Sequence, residues 1–210
     1  NFDVIVIGGG PGGVAAAKRL ARGGKRVALI STELGGECLN YGCIPTKTYL
    51  WAADFYEKLR ENGETFGVTV TGHTLNWELM QKRKKDVVSK LQKQLAFSLQ
   101  KAQVTVVNGW AQFKDAHTLL VKPPENAAQS AVQEITADSI IIATGSAPVM
   151  LPDFPWEGRN LSNHDLLTLT KIPETLLIIG GGAIGVEFAS IFATLGSKVT
   201  IAEAQERLIP

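Results

Sequence analysis

Cysteine and histidine are both scarce in this chain, which argues against a disulfide-rich scaffold and against a structural zinc site. Cys38 and Cys43 are the only cysteines in 210 residues, too few for a scaffold held together by disulfides. Histidine is also scarce, and His73, His117 and His164 show no zinc-ligand spacing to the pair. A structural zinc site needs four ligands, so we predict no metal site. A close cysteine pair without such ligands favours a redox-active dithiol.

An excess of charge and a long apolar run are missing as well. Lys and Arg number 21 against 20 Asp and Glu, so no net field attracts nucleic acid or an anionic membrane. No apolar run reaches the roughly 18 residues that span a bilayer. The apolar run Val4–Ile7 follows an acidic residue and leads into glycines, unlike a secretory signal. We therefore predict no nucleic-acid partner, no membrane partner and a cytoplasmic location, or the mitochondrial matrix if the source is eukaryotic.

Glycine is abundant, and it forms two similar clusters. In the first, Gly8, Gly10 and Gly13 match the pattern G-x-G-x-x-G between an apolar strand, Phe2–Ile7, and a helix predicted over Val14–Arg22. In this pattern the first glycine makes a tight turn, the second admits a pyrophosphate, and the third lets the helix pack closely on the strand. The context of strand and helix predicts a dinucleotide site.

The residue that would bind the ribose of this first site is ambiguous. An acidic residue is expected about 20 positions after the glycines, near the end of the next strand, Arg26–Ile30. Ser31 ends that strand and Glu33 follows in the loop. Either side chain could bind the ribose, and Glu33 could also be an ordinary solvated loop residue.

The second cluster repeats the order of strand, glycine loop, helix and strand. Its glycines are Gly180, Gly182 and Gly185, and Glu203 stands where the following strand ends. A carboxylate there accepts bonds from both ribose hydroxyls and repels a 2′-phosphate, which favours NAD over NADP. The predicted elements are a strand over Thr175–Ile179, a helix over Val186–Leu195 and a strand over Lys198–Ala202.

These patterns predict an α/β fold with two Rossmann-like dinucleotide-binding units and parallel sheets. The first unit would cover residues 1–147, with a helical insertion over about 44–102 and a small β-meander over about 103–138. A helix should begin after Asn76, a plausible N-cap, and its run Gln81–Lys85 reads as a solvated face. The last strand of the unit would be Ser139–Ala143, and the second unit would begin at residue 148.

The spacing of the two cysteines constrains the backbone between them. Positions i and i+5 of a regular helix lie roughly 8–9 Å apart between Cα atoms, whereas a disulfide needs less than about 7 Å. If the pair closes, the helix must be distorted, and Gly42 is the residue that allows it. Redox pairs favour helix N-termini, where the dipole stabilises a thiolate. Lys47 follows Cys43 by four positions and shares its helical face.

A known family carries this combination of motifs. The segment Gly35–Lys47 reads Gly-Gly-Glu-Cys-Leu-Asn-Tyr-Gly-Cys-Ile-Pro-Thr-Lys, and Ala143-Thr144-Gly145 ends the last strand of the first unit. With the two glycine patterns, it resembles the flavin-dependent pyridine nucleotide–disulfide oxidoreductases, and among them most of all the dihydrolipoamide dehydrogenases. The similarity covers the whole chain. It departs at Tyr41, where the family more often has a small aliphatic residue.

The resemblance implies a flavoprotein that oxidises dihydrolipoamide to lipoamide, with electrons passing from Cys38 and Cys43 through FAD to NAD. It implies that Cys43 is the charge-transfer thiol against the flavin and Cys38 the interchange thiol that meets the substrate. It also implies that Lys47 lies near the flavin N5, paired with Glu187. The FAD contacts it implies are Gly8, Gly10, Pro11, Gly12, Gly13, Ser31, Glu33, Gly36, Glu37, Lys47, Ala111, Thr144, Gly145 and Ser146. The NAD contacts are Gly180, Gly182, Ala183, Ile184, Gly185, Glu187 and Glu203.

The resemblance further implies a longer protein. The sequence ends at Pro210, and we expect the second unit to be truncated and a dimerisation domain with a His–Glu acid–base pair to be absent. The intact protein would be a homodimer that takes dihydrolipoamide from the lipoyl domain of 2-oxoacid dehydrogenase complexes. Glutathione-type and mercuric reductases would share these motifs, and the 210 residues alone could be a nucleotide-binding module without turnover.

Overall fold

The computed structural model describes residues 1–61, 63–125 and 131–209. The helices are α1 (Pro11–Arg22), α2 (Gly36–Asn40), α3 (Cys43–Glu61), α4 (Trp77–Lys101), α5 (Asn163–Leu166) and α6 (Ala183–Thr194), with a short 3-10 helix at Glu64–Phe66. The strands are β1 (Phe2–Ile7), β2 (Val27–Ser31), β3 (Thr105–Asn108), β4 (Trp110–Phe113), β5 (Thr118–Lys122), β6 (Gln133–Ile142), β7 (Thr175–Ile179) and β8 (Lys198–Ala202). No helix in these residues is long and apolar enough to cross a membrane.

The chain divides into two compact units. The first consists of the described parts of Asn1–Asn40 and Ser89–Ala147, and the second of those of Tyr41–Val88 and Pro148–Pro210. The sequence-based boundary placed all of residues 1–147 in the first unit. Packing places residues 41–88 in the second, because Tyr49 and Trp77 are buried in its core. Where one nucleotide-binding function ends and the other begins stays a prediction.

The first unit is built on one six-stranded sheet in the order β3-β2-β1-β6-β5-β4. Strands β3, β2, β1 and β6 run parallel to one another. The near-continuous apolar run of β1 fits a strand buried on both faces. Val4 and Val6 face one apolar core, which includes Val14 of α1, while Ile5 faces a second core on the opposite side. The α/β prediction with parallel strands is confirmed.

The meander differs from its predicted extent. Strand β3 was expected to belong to it, but β3 pairs in parallel with β2 at the edge of the main sheet. The antiparallel part consists of β4, β5 and the start of β6. Strand β6 is one continuous ten-residue strand rather than a short one over Ser139–Ala143. Its first half pairs with β5 and its second half with β1, so one strand serves both arrangements. Part of the predicted meander, residues 126–130, lies outside the described residues.

The second unit contains the second predicted strand–helix–strand segment. Strands β7 and β8 pair in parallel, and both have the bounds that the sequence predicted. Helix α6 connects them and begins three residues earlier than expected, at Ala183. Its Phe188 and Phe192 are buried together with Tyr49 of α3 and Trp77 of α4. This core holds α3, which begins at Cys43, in the same unit as the second glycine loop.

Helix α4 begins where predicted, but one of its lysines is buried. The Asn76 side chain caps the helix by accepting a bond from the backbone N–H of Leu79 at 2.9 Å. The run Gln81–Lys85 was interpreted as a solvated face, and Lys84 is the exception, with 7% of its surface exposed. Its Nζ donates to the carbonyl of Leu167 at 2.8 Å. Burial lowers the pKa of Lys84.

The Lys84 ammonium shares its acceptor with a tyrosine. The hydroxyl of Tyr49 also donates to the Leu167 carbonyl, at 3.2 Å, and burial raises the pKa of that hydroxyl. The carbonyl would therefore keep a donor if the ammonium were removed. A buried charge with no opposite charge beside it costs stability. The long apolar stem of the lysine, by contrast, contributes packing.

We predict that Lys84→Met and Lys84→Ala have different effects on stability. Methionine keeps the packed stem and removes the buried charge, so the free energy of unfolding at pH 7 should equal or exceed that of the wild type. Alanine loses the stem and should cost about 1–3 kcal/mol. Chemical denaturation of the full-length protein, followed by circular dichroism, measures both. Equal destabilisation by the two variants would show that the charged bond itself is required.

The same comparison has a pH dependence with a definite sign. Because the folded-state pKa of Lys84 lies below the ordinary 10.5, unfolding takes up a proton between those two values. The contribution of Lys84 to the free energy of unfolding of the wild type therefore rises as the pH increases through that interval. The advantage of Lys84→Met should shrink between pH 7 and pH 10.

Candidate functional site

The first glycine loop depends on a close contact within its own backbone. Gly8 has a φ of +113°, which strongly favours glycine. A Cβ on Gly13 would lie 1.9 Å from the Gly8 carbonyl oxygen, so α1 can start this close to β1 only with glycine there. Gly10 is different: its backbone is extended, and a Cβ would approach nothing closer than the Gly36 Cα at 3.7 Å. At Gly12 a Cβ would meet no protein atom within 4 Å.

Two other segments lie against this loop. The N–H of Gly35 donates to the Gly9 carbonyl at 2.8 Å, and a Cβ on Gly36 would lie 2.7 Å from the Gly10 Cα. On another side, the Ala143 carbonyl oxygen lies where a Gly8 Cβ would be, at 2.0 Å from it, and Thr144 follows. Gly36 begins α2, Glu37 lies in its first turn, and Gly145 has a φ of +82°. The structure therefore brings three of the sequence-predicted segments together around the first loop.

The two candidates for the first ribose site contact each other. The Ser31 hydroxyl donates to the Glu33 carbonyl at 2.7 Å. The Glu33 carboxylate accepts a bond from the Gln92 side chain at 3.3 Å. The Ser31 proton is therefore engaged locally, and the Glu33 carboxylate is bonded to Gln92. Ala111, another predicted contact, lies in β4 and packs against the core that includes Ile5.

The second glycine loop repeats the geometry of the first. Gly180 has a φ of +105°, and a Cβ on Gly185 would lie 2.2 Å from the Gly180 carbonyl oxygen. Gly182 is extended, and a Cβ there would meet nothing within 4 Å. Ala183 begins α6, and Ile184 is 62% exposed beside it. In both loops the protein itself requires the first and third glycines and leaves space at the middle one.

Glu203 bonds directly to this second loop. Its Oε2 accepts from the Gly181 N–H at 2.6 Å, and its Oε1 accepts from the Gln205 N–H at 2.8 Å. The Gly181 bond, followed by the Gln205 bond, lowers the pKa of Glu203. The carboxylate is thus held ionised at the end of β8, beside the loop where the sequence predicted it.

The cysteine motif interrupts the helix between its two thiols. Cys38 is half-buried in α2, and Cys43 is exposed at the start of α3. Tyr41 and Gly42 belong to neither helix, and the Thr46 N–H donates to the Gly42 carbonyl at 3.1 Å. The interruption occurs at the glycine that the spacing argument singled out. Cys43 consequently occupies the N-terminus of a 19-residue helix.

One side-chain pair of the second unit connects α3 with α6. Lys47 Nζ and Glu187 Oε1 are 2.6 Å apart, with 59% and 30% of the two side chains exposed. The resemblance implied this pair, and the structure contains it. An exposed ion pair contributes only about 0–1 kcal/mol to stability. Its significance is that a positive charge one turn after Cys43 is held at a fixed place beside the helix of the second glycine loop.

These features fit dinucleotides, which supply a pyrophosphate for each loop. Neither backbone angle nor protein packing demands glycine at Gly10, Gly12 and Gly182. At the first glycine pattern's middle position and its counterpart, Gly10 and Gly182, a pyrophosphate has room to approach the backbone. The N-termini of α1 and α6 present backbone N–H groups at these places. Across residues 1–61, 63–125 and 131–209, no three His, Cys, Asp or Glu side chains come together in a group that could hold a metal ion.

Comparison with known proteins agrees with this geometry. The profile of the pyridine nucleotide-disulphide oxidoreductase family matches residues 2–210. The chain belongs to this family. Family membership and the relatives below imply that it binds FAD and NAD(P), which confirms the cofactor prediction at that level.

The relatives are dihydrolipoyl dehydrogenases and a flavoprotein reductase. A dihydrolipoyl dehydrogenase of Bacillus subtilis (strain 168) is 44% identical over 213 residues, which cover 100% of this chain and 45% of that protein. That of Acholeplasma laidlawii is 38% identical, over 100% of this chain and 62% of its own length. The Cu(II) complex of the HOCl-induced flavoprotein disulfide reductase RclA from Escherichia coli superimposes with a TM-score of 0.78 at 35% identity, over 98% of this chain and 43% of that one.

Sequence reasoning missed several residues that hold the cysteine motif in place. Gln92 donates to Asn40 as well as to Glu33, at 3.0 and 3.3 Å. His164 stacks on Tyr41 with ring centroids 4.6 Å apart. A signal for α5 was present, because Ser162 and Asp165 have the spacing of a capping box and form one. No pattern in the sequence connects either contact to the motif, since each joins residues far apart along the chain.

We predict that the middle and third glycines of the second loop respond differently to alanine. Gly182→Ala adds a methyl group where no protein atom lies, so the fold, the melting temperature and the FAD content of the full-length protein should be unchanged. NADH binding, measured by fluorescence titration, should weaken about tenfold or more, because the methyl group blocks the approach of the pyrophosphate.

Gly185→Ala is the matched comparison. Its methyl group would collide with the Gly180 carbonyl, so we expect a loss of about 1–3 kcal/mol in the free energy of unfolding. Normal NADH binding by Gly182→Ala would mean that the pyrophosphate does not lie over this loop.

Proposed function

We propose that this chain is the dinucleotide- and dithiol-bearing part of a flavoprotein disulfide oxidoreductase that oxidises dihydrolipoamide to lipoamide and reduces NAD. The observation that carries the proposal is the arrangement within the second unit. Cys43 begins α3, and Lys47, one turn later, is paired with Glu187 on the helix of the second glycine loop. A thiol at a helix N-terminus and a nucleotide loop are thereby joined through one charged pair.

The residues for each cofactor follow from the two loops. For FAD we propose the contacts Gly8, Gly10, Pro11, Gly12, Gly13, Glu33 or Ser31, Gly36, Glu37, Lys47, Ala111, Thr144, Gly145 and Ser146. For NAD we propose Gly180, Gly182, Ala183, Ile184, Gly185, Glu187 and Glu203. When bound, FAD supplies a two-electron carrier between the cysteine pair and the pyridine nucleotide. The protein's own part is to place these groups and to set the charges around them.

The thiol chemistry is an exchange that balances within the substrate and the cysteine pair. One dihydrolipoyl thiolate attacks the Cys38 sulfur of the oxidised pair, forming a mixed disulfide and releasing Cys43 as a thiolate. The second dihydrolipoyl thiol then attacks the lipoyl sulfur of that mixed disulfide. Lipoamide leaves as the cyclic disulfide, and Cys38 is released. Two electrons have then moved from the substrate to the cysteine pair. The Lys47 ammonium lies one helical turn from the Cys43 thiolate that this exchange releases.

The preference for NAD rests on Glu203. Its carboxylate lies at the end of β8 and is held ionised by the Gly181 and Gln205 N–H groups. An ionised carboxylate there accepts hydrogen bonds from ribose hydroxyls and repels a 2′-phosphate. We therefore propose NAD rather than NADP as the acceptor.

The partner and location follow by similarity. The dihydrolipoyl dehydrogenases that resemble this chain are about twice its length in most cases, so the activity proposed here is that of the full-length protein. We propose a homodimer in the cytoplasm, or in the mitochondrial matrix if the source is eukaryotic. Its substrate would be the dihydrolipoyl group of a lipoyl domain in a 2-oxoacid dehydrogenase complex.

Two alternative functions remain, and measurements of turnover distinguish them from the proposed one. A glutathione-type or metal-ion reductase would use the same dithiol, and RclA, the structural neighbour, was solved as a Cu(II) complex. The 210 residues alone could instead act as a nucleotide-binding module. We favour dihydrolipoamide because several dihydrolipoyl dehydrogenases match the whole chain at 36–44% identity.

We predict that Cys38→Ser in the full-length protein removes dihydrolipoamide-dependent NADH formation by roughly a thousandfold or more while leaving FAD bound. Serine cannot form the mixed disulfide, whereas the nucleotide loops are untouched. Thr48→Val is the matched control on α3, because its hydroxyl donates to the Ile44 carbonyl one turn away in the same helix, at 2.8 Å. It should turn over like the wild type.

The assay compares the oxidation of dihydrolipoamide, with NAD or NADP as the acceptor, with the reduction of oxidised glutathione, Hg(II) and Cu(II), with NADH or NADPH as the donor. The proposal requires the highest kcat/KM with dihydrolipoamide and NAD. Unchanged turnover by Cys38→Ser would refute the role of the dithiol, and a faster reaction with another substrate would refute the substrate.

A further inference from the structure

The link between the two cysteines is held by residues that the proposed mechanism does not use. His164 lies on α5, and its imidazole stacks on the Tyr41 ring with centroids 4.6 Å apart and planes 23° apart. The Asn163 side chain donates to the Tyr41 carbonyl at 3.4 Å. Tyr41 is two residues before Cys43, outside both flanking helices. All of these contacts lie within the second unit.

The short helix α5, which carries His164, is held by hydrogen bonds at both ends. Ser162 caps α5, and Asp165 completes a capping box by accepting from the Ser162 N–H and hydroxyl at 2.8 and 2.7 Å. These bonds lower the pKa of Asp165, which keeps the carboxylate ionised. At the other end of the helix, Leu167 is buried, and its carbonyl accepts from both Tyr49 and Lys84. Because Tyr49 lies on α3, its bond to the Leu167 carbonyl connects α3 to the end of α5.

The residue before Tyr41 is held independently in the first unit. The Asn40 side chain donates to the Leu34 carbonyl at 3.1 Å and accepts from Gln92 at 3.0 Å. Of the four residues between the cysteines, Leu39 is buried, and Asn40 and Tyr41 each have side-chain partners. Gly42 has no side chain to hold. Tyr41 is therefore the last residue before Cys43 whose side chain is held, and Gly42 is held through its carbonyl, which accepts from the Thr46 N–H.

We propose that His164 is a positioning residue for the redox pair, acting through its stack on Tyr41. Closing a disulfide between nearby cysteines costs the entropy of ordering the chain between them. A residue that orders this link in the dithiol state removes part of that cost and favours the disulfide. The inference rests on the proposed function, since it assumes that Cys38 and Cys43 cycle between dithiol and disulfide.

The test measures the equilibrium between dithiol and disulfide. The full-length, FAD-loaded protein is equilibrated without oxygen in mixtures of reduced and oxidised dithiothreitol, trapped by alkylation, and its thiols are counted by mass spectrometry. In this exchange the cysteine pair gives two electrons and two protons to oxidised dithiothreitol. Loss of an aromatic stack should lower the equilibrium constant for disulfide formation about 2- to 10-fold in His164→Ala. The potential would become less negative by about 9 to 30 mV, at about 30 mV per tenfold.

Two further variants separate positioning from a general loss of structure. His164→Phe retains a stacking ring and should restore the wild-type equilibrium. In a Tyr41→Val background, His164→Ala should have no further effect on the equilibrium, because the stack through which it acts is already gone. Melting temperature and FAD content are measured for every variant. An unchanged potential in His164→Ala, an equal shift in the Tyr41→Val background, or failure of His164→Phe to restore the equilibrium would each overturn the proposal.

Failure of the His164 proposal can be distinguished from failure of the proposed function. If Cys38→Ser turned over normally, the redox role of the pair would be wrong whatever His164 does. If Cys38→Ser were inactive and His164→Ala had a wild-type potential, only the positioning role would be wrong.

Discussion

Both nucleotide loops depend on one contact, the approach of a helix to the carbonyl of the glycine that ends the preceding strand. Gly13 lies against the Gly8 carbonyl, and Gly185 lies against the Gly180 carbonyl, at separations that leave no room for a Cβ. The contact fixes where each helix starts and aims its first N–H groups beyond the end of the strand. Space then remains at Gly10 and Gly182, which is what a pyrophosphate requires. The repetition of one constraint in two separate units is the strongest structural reason for assigning two dinucleotides to this chain.

The cysteine pair depends on a different feature, the break between helices α2 and α3. A continuous helix would separate the cysteines beyond the reach of a disulfide, and the break at Tyr41 and Gly42 removes that restriction while returning Cys43 to a helix N-terminus. The Lys47–Glu187 pair then adds a positive charge at a fixed position. Since such an exposed pair stabilises the fold very little, its value lies in where it holds the ammonium.

Much of the fold could be predicted from sequence because its signals are local. The bounds of β1, β7 and β8, the Asn76 cap and the two glycine patterns all depend on residues close together along the chain. Other features depended on distant partners. The parallel pairing of β3 with β2 and the burial of Lys84 against Leu167 have no local pattern, so the sequence did not indicate them. The rest of the run Gln81–Lys85 is partly or fully exposed, as predicted. The Tyr41–His164 stack joins residues 41 and 164, so neither residue alone indicated it.

The central claim is that Cys43 exchanges electrons with a flavin bound at the first loop. The most direct measurement is an anaerobic titration of the full-length, FAD-loaded protein with NADH, recorded as absorbance and as a count of alkylatable thiols. The account predicts that two electrons per FAD produce two new thiols and a long-wavelength absorbance band, and that Cys43→Ser shows neither. Bleaching of the flavin at two electrons, with no new thiols and the same course in Cys43→Ser, would contradict it.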